Sequence, residues 1–252
     1  MRGFLALAWV ELKLFLRDAF ATVFALAFPL ITLLLLAAVF GESDPQEQVD
    51  GQFIFRGAHG DDYYVAASVA LAIAAVGLLA LPVHLASYRG EGVLRRFRAS
   101  SVPTWALFGA QFVVGLSVAA FSSLLMTTIA WVIYGTSWPA APLGVAVAFL
   151  LAMLCFTSLG FLLGALLPTA RAAQGIGLLL FFTTYMLAGT GPPRAVLPSG
   201  VRDISGIQPL ARVLIAIQDP WFGFGWNWQE LGLLACITIA ALAPAALLFR
   251  WD

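Results

Sequence analysis

Tyr64–Leu85 reads YVAASVALAIAAVGLLALPVHL and contains no aspartate, glutamate, lysine or arginine. About twenty helical residues cross a hydrocarbon core about 30 Å thick. Lipid offers no partner to a backbone N–H or C=O, so a segment of this kind must pair its own groups as a helix. The stretch therefore reads as a transmembrane helix.

Five further runs read the same way: Ala19–Phe40, Trp105–Tyr134, Leu143–Leu167, Gln174–Leu187 and Leu231–Phe249. The Trp105 run is longer than a crossing requires, and the Gln174 run is short. Strand alternation is absent, which argues against a membrane barrel. The expected fold class is an all-α polytopic membrane protein with six transmembrane helices. The whole chain agrees: 62% of its 252 residues are hydrophobic, 10% are charged, and the mean hydropathy is +0.95. A soluble domain carries about 25% charged residues. The Ala19 run is too long for a signal-peptide core and lacks an A-x-A site before Gly41, so it reads as a retained span.

The positive charges orient the bundle. With the N-terminus inside, the inner pieces hold Arg2, Lys13, Arg17, Arg89, Arg95, Arg96, Arg98, Arg171 and Arg250, and the outer pieces hold only Arg56, Arg194, Arg202 and Arg212. Such a bias predicts both termini in the cytoplasm. The formal charge of zero gives no support to a nucleic-acid partner. Cys155 and Cys236 both lie in apolar runs, so free, buried thiols are expected.

Between the runs, residues 1–18 form an amphipathic segment expected to lie in the cytoplasmic interface, with Trp9, Glu11, Lys13 and Arg17 as its polar and aromatic markers. Its alternative is a plain extension of the first span; the permease domain proper is residues 19–252. The acidic loop 42–62 includes His59, Asp61 and Asp62, too few groups to argue for a metal. Residues 189–230 alternate apolar residues with prolines, and Arg202, Asp203 and Arg212 would be costly at mid-membrane. Short re-entrant helices are expected there.

The inner loop 87–104 carries most information. A short helix from about Glu91 places Val93, Leu94 and Phe97 on one face and pairs Glu91 with Arg95. Ser100, Ser101 and Pro103 form a usual helix start for the next span. The arginines alone fit a topology-setting loop that touches anionic lipid. Exposed apolar residues at helical spacing in the cytoplasm also fit docking into a partner's groove.

The source of energy separates the remaining classes. An ion-coupled transporter needs ionisable groups in its spans; the six runs hold none, and His84 alone lies near an inner end. Backbone ion sites keep that class open. A membrane enzyme needs a nucleophile, metal or acid–base pair in one pocket, and the serines and threonines of the spans have no basic partner in sequence. A channel needs polar rings or a selectivity loop. The P-loop pattern G-x-x-x-x-G-K-[ST] is absent, since the one lysine, Lys13, follows Leu12. No catalytic residue and no cofactor is expected in this chain.

Three pieces resemble the type-2 ABC exporter permeases, in particular the daunorubicin-resistance type. They are Leu16-Arg17-Asp18 ahead of a first span containing Pro29; Tyr88–Pro103, with Arg89, Glu91, Leu94, Arg95, Arg96 and Arg98 at matching places; and Leu197-Pro198 … Ile204 … Gln208-Pro209-Leu210. Ser101 stands where many relatives have proline. The resemblance implies an interfacial helix at the N-terminus and a coupling helix near Glu91–Arg98, so that Arg89, Glu91, Val93, Leu94, Arg95, Arg96, Phe97 and Arg98 meet an ATPase. It implies two copies of a partner ABC ATPase that hold ATP and Mg²⁺, a second permease subunit forming a homodimer, and a bacterial plasma (inner) membrane location. Export of drugs, lipids or natural products follows from the same resemblance. Phe181, Phe182, Tyr185 and Met186 are expected pathway-lining residues, with a bilayer-facing position as the alternative. Gly160 and Gly164 form a G-x-x-x-G pair suited to close helix approach, and Pro29, Pro82 and Pro244 are expected kink sites.

Overall fold

The computed structural model describes residues 2–93, 96, 99 and 104–248. Helices α1 (Arg2–Arg17), α2 (Ala19–Phe40), α3 (Gly60–Gly90), α4 (Thr104–Tyr134), α5 (Pro142–Leu166), α6 (Ala170–Ala188), α7 (Ser199–Ser205), α8 (Pro209–Phe222) and α9 (Trp228–Leu248) follow one another. A two-stranded hairpin, β1 (Gln48–Val49) and β2 (Gln52–Phe53), precedes α3. The fold is all-α and polytopic. Among the described residues α2, α3, α5, α9 and the Trp105–Tyr134 part of α4 are long and apolar enough to cross a membrane. The expected Gln174–Leu187 run forms the 19-residue α6, which starts earlier because Thr169 caps it by accepting from Ala172 N at 3.2 Å. Arg171 and Gln174 in its first turns lower its hydropathy.

Helix α3 is the axis of the bundle. Its most apolar window is entirely buried within the protein, whereas α2 and α9 bury about a quarter of theirs. Alanine and glycine make this possible, since they let helix backbones approach closely. A Cβ on Gly77 would lie 2.5 Å from the Phe156 carbonyl oxygen, and one on Gly160 would lie 2.3 Å from the Gly77 carbonyl oxygen. Gly177 of α6 meets the Leu78 carbonyl in the same way, at 2.5 Å. Gly164 packs on Leu85 and Pro82. The G-x-x-x-G pair thus seats α5 on α3. Gly160→Ala would push a methyl group into backbone that cannot rotate away. The expected cost is about 1–3 kcal/mol, read as a lower melting temperature of the purified protein.

Two of the three expected prolines bring a wide turn. π-helical segments at Val23–Ala27 and Val76–Ala80 lie just ahead of Pro29 and Pro82. Proline lacks an N–H and its ring clashes with the carbonyl four residues back; a π-turn relieves this by shifting that carbonyl. The carbonyls so released are Ala25 and Leu78. Ala25 C=O accepts from Ser122 Oγ at 2.7 Å, and Leu78 C=O faces Gly177. Pro244 lies inside α9, which remains α-helical around it.

Between α6 and α9 the chain forms a 3₁₀ turn at Arg194–Val196, then α7 and α8. Helix α8 buries Leu210, Val213, Leu214, Ile217 and Trp221 against the bundle. Its last carbonyls are satisfied from the α4–α5 connection: Ala141 N donates to Pro220 O at 2.9 Å and Ala140 N to Trp221 O at 3.0 Å. Of the two free cysteines, Cys155 is buried but Cys236 is exposed. The expectation of two buried thiols is corrected, because Cys236 lies on the outer side of α9 rather than at its contact with α5.

Candidate functional site

Helix α1 is separate from α2. Asp18 breaks the path with φ −82° and ψ 102°, and its carboxylate caps α2 by accepting from Phe20 N at 3.0 Å and Ala21 N at 3.2 Å. A cap of this type contributes about 1 kcal/mol. Trp9, Lys13 and Arg17 face outward, and Lys13 Nζ lies over the Trp9 ring at 5.1 Å. Glu11 does not share their surface. It is 2% exposed.

The Glu11 carboxylate collects three partners from two other helices. His84 Nε2 of α3 lies 2.8 Å from Oε2, the Tyr88 hydroxyl donates to Oε1 at 2.8 Å, and Gln111 Nε2 of α4 donates to Oε2 at 2.8 Å. His84 and Tyr88 are four apart on α3 and so share one face. The carboxylate is solvated by protein donors, which is what allows a charge to be buried there. It pins α1 to both helices that flank the arginine-rich loop. A cavity of about 20 Å³ beside it, lined in part by Glu11, His84, Gln111 and Val76, has room for one water.

Arg89, in the last turn of α3, reaches a third helix. Its guanidinium donates to the carbonyls of Ala165 (3.3 Å) and Leu167, at the C-terminal end of α5. A helix C-terminus leaves carbonyls unpaired and carries partial negative charge, so a guanidinium is a fitting cap.

Glu91 and Gly92 form a turn after α3, with Gly92 at φ +69°. Val93 and Arg96 are helical, and Arg96 N donates to Gly92 O at 3.3 Å, one helical step. Glu91 and Arg96 are exposed. Leu94, Arg95, Phe97 and Arg98 lie outside the described residues, as do Ser100, Ser101 and Pro103.

Phe181 is fully buried and packs edge-on against Phe24 and Phe28 of α2, at ring-centroid distances of 5.7 and 5.6 Å. Phe182 and Met186 reach the surface at 40% and 45% exposure, and Tyr185 packs on Phe28 at 5.6 Å. Phe181, Phe182 and Tyr185 form an aromatic seam with Phe24 and Phe28 between α2 and α6. An apolar crevice of about 210 Å³ opens instead on the other side of α6, between Leu180 and Thr184 and the α5 residues Leu159, Leu163 and Leu166.

At the opposite end of the bundle, the hairpin end, Arg56 pairs with Asp219 at 2.6 Å, and Asn227 Nδ2 donates to the same carboxylate at 2.6 Å. Arg212 pairs with Glu230 at 2.7 Å. These pairs join the loop before α3 to α8 and α8 to α9. Their arginines were counted in the sequence only as outer-loop charge.

A family model for the ABC-2 type transporter matches residues 2–222, from α1 through α8. The chain belongs to this family. It is a membrane-embedded permease subunit of an ABC transporter. No curated protein matches its sequence. The Glu11 cluster and the Arg89 cap therefore sit at the end of an ABC-2 permease that bears its longest run of basic residues.

Proposed function

We propose that this ABC-2 permease is driven by a separate ABC ATPase that docks on residues 91–98 at the cytoplasmic side, and that it exports hydrophobic or amphipathic molecules as a dimer in a bacterial plasma membrane. The observation that carries the reading is the bracing of that loop. Its N-terminal flank is fixed to α1 through Glu11 and to α5 through Arg89, and its C-terminal flank is fixed to α1 through Gln111. A push on the loop therefore moves four helices together. Helix α3, buried along its length, carries the displacement to the hairpin end. Closure of two ATPases on ATP would move such a body between inward- and outward-facing states. The wall offered to cargo is leucine, phenylalanine and small residues, which suits apolar or amphipathic molecules.

Replacing Val93, Leu94 and Phe97 together with aspartate is expected to abolish copurification of the ATPase while membrane insertion persists. Undiminished copurification would refute docking on this loop.

A second reading has one observation in its favour: buried Glu11 pairs with the partly buried His84, the kind of ionisable pair that proton-coupled transporters use. Transport with ATP held constant distinguishes the two. Export that survives a proton uncoupler supports the ATP-driven reading, and export that collapses supports the pair as a proton relay.

A further inference from the structure

The hairpin end contains a cavity of about 740 Å³, within the range of small-ligand sites. Three guanidinium groups line it: Arg56 from the loop before α3, Arg194 from the 3₁₀ turn and Arg202 from α7. Gln218 of α8 lines it as well.

The carboxylates do not neutralise this cluster evenly. Asp219 is engaged by Arg56 and Asn227, and Asp50, itself 74% exposed, pairs with Arg202 at 3.1 Å. Arg194 has no carboxylate within ion-pair distance among the described residues; its hydrogen bond is to the Arg202 carbonyl at a long 3.5 Å. Asp203, the acid in the lining, is exposed. Burial lowers the pKa of Arg194, and the neighbouring Arg212 and Arg56 act in the same direction against the opposing influence of Tyr63 and Glu230. Positive charge is crowded here and is short of anions.

Donors are also left over. The Nε groups of Arg194 and Arg202 are buried without partners. Gln218 is fully buried; its Oε1 accepts from Arg56 at 3.1 Å, and its Nε2 makes no hydrogen bond. The adjacent Tyr63 hydroxyl is turned to Gly189 C=O at 2.8 Å. These atoms are enclosed by protein, so what the cavity offers an acceptor is the guanidinium charge of Arg56, Arg194 and Arg202, of which Arg194 has no carboxylate partner among the described residues. Planar guanidinium forks match a phosphate group in shape and charge.

The rim is apolar. Phe224 lies over Arg56 at 5.8 Å and is 59% exposed, and Phe53, also in the lining, is 42% exposed. A free hydrophilic anion gains nothing from that border, whereas an acyl chain does.

We propose that this cavity binds the phosphate of an anionic amphiphile, with Arg194 as its principal contact, Arg202 as a further donor, and the apolar rim against the chain. The site needs no ATPase, so it stands or falls independently of the transport reading.

The test uses the purified full-length permease in nanodiscs of phosphatidylcholine with and without phosphatidylglycerol, and in detergent with inorganic phosphate alone. Native mass spectrometry reads the retained lipid, and thermal melting reads stabilisation. Phosphatidylglycerol is expected to be retained over phosphatidylcholine and to raise the melting temperature. Arg194→Gln should weaken its retention roughly tenfold, the loss of one charged hydrogen-bond donor, and Arg194→Lys should restore part of it. Arg194 is chosen because Arg202 also holds the Ala195 and Leu197 carbonyls, so its loss would disturb the fold. Unchanged melting of Arg194→Gln in pure phosphatidylcholine certifies that the variant is folded; a fall there as large as the fall with phosphatidylglycerol overturns the site. If inorganic phosphate alone stabilises the protein in an Arg194-dependent way, the site stands with a soluble phosphate as ligand. Equal retention of both lipids, or retention unaffected by Arg194→Gln, with no effect of phosphate, overturns the proposal.

Discussion

Glu11→Ala is expected to uncouple ATP hydrolysis from export and to lower stability by about 3 kcal/mol. The carboxylate is buried and holds His84, Tyr88 and Gln111 at 2.8 Å each. Its removal strands three polar groups in a space with room for little water, and breaking one side of a buried charged cluster costs about 3–5 kcal/mol. The lower end is expected here because His84 is about a fifth exposed and recovers some hydration. Glu11→Gln keeps the shape and one acceptor, and should keep most of the stability. Coupling should follow the bracing rather than the charge. ATP hydrolysis in liposomes would persist in Glu11→Ala while export per ATP falls, and Glu11→Gln would be intermediate. Normal export by Glu11→Ala would show that α1 is not part of the moving body. Loss of export in Glu11→Gln equal to that in Glu11→Ala would favour a proton-carrying role instead.

The spans were legible in the sequence because lipid imposes one rule, internal backbone pairing over about twenty residues. The apolar runs around Ala19–Phe40 and Trp105–Tyr134 match helices almost to the residue. Their ends were less legible. Asp61 and Asp62 looked like loop residues, yet they occupy the first turn of α3, where negative charge complements the helix dipole. Hydropathy also carries no direction. It could not reveal that α3 is enclosed by protein while α2 and α9 face outward, although the alanines of α3 and the positions of Gly77, Gly160 and Gly177 hold that information once they are read as contact surfaces.

The candidate sites were legible only where they are local. The loop at 87–104 is visible from composition alone. The Glu11 cluster is not, because its partners lie 73, 77 and 100 residues away. On a helical wheel Glu11 looked like one more polar residue on an amphipathic helix. A usable signal was the polar pair His84 and Tyr88, spaced i, i+4 at the end of an otherwise apolar span. The cavity of the hairpin end was hidden for the same reason. Arg194 and Arg202 share the segment before the last span, but Arg56 lies in a different loop, and only the fold brings the three to one cavity.

Arg89→Ala tests the other brace, and its expected signature differs from that of Glu11→Ala. Arg89 contacts backbone, not a charged side chain: the Ala165 and Leu167 carbonyls at the end of α5. Its loss exposes carbonyls that water at an interface can solvate, so the stability cost should be smaller, about 1–2 kcal/mol for hydrogen bonds from a charged donor near a helix C-terminus. The functional cost should still be large. Helix α5 packs on α3 through Gly160 and Gly164 and on α9, so in the proposed mechanism Arg89 would be where loop motion enters the part of the bundle that includes the last span. Arg89→Ala is expected to retain the ATPase, hydrolyse ATP and export poorly. Arg89→Lys should not rescue it fully, because a single ammonium does not reproduce a planar fork that spans two carbonyls. Copurification, ATP hydrolysis and export measured on the same preparation separate the possibilities. Loss of the ATPase would make Arg89 a docking residue, whereas a retained ATPase with normal export would remove α5 from the transmission path.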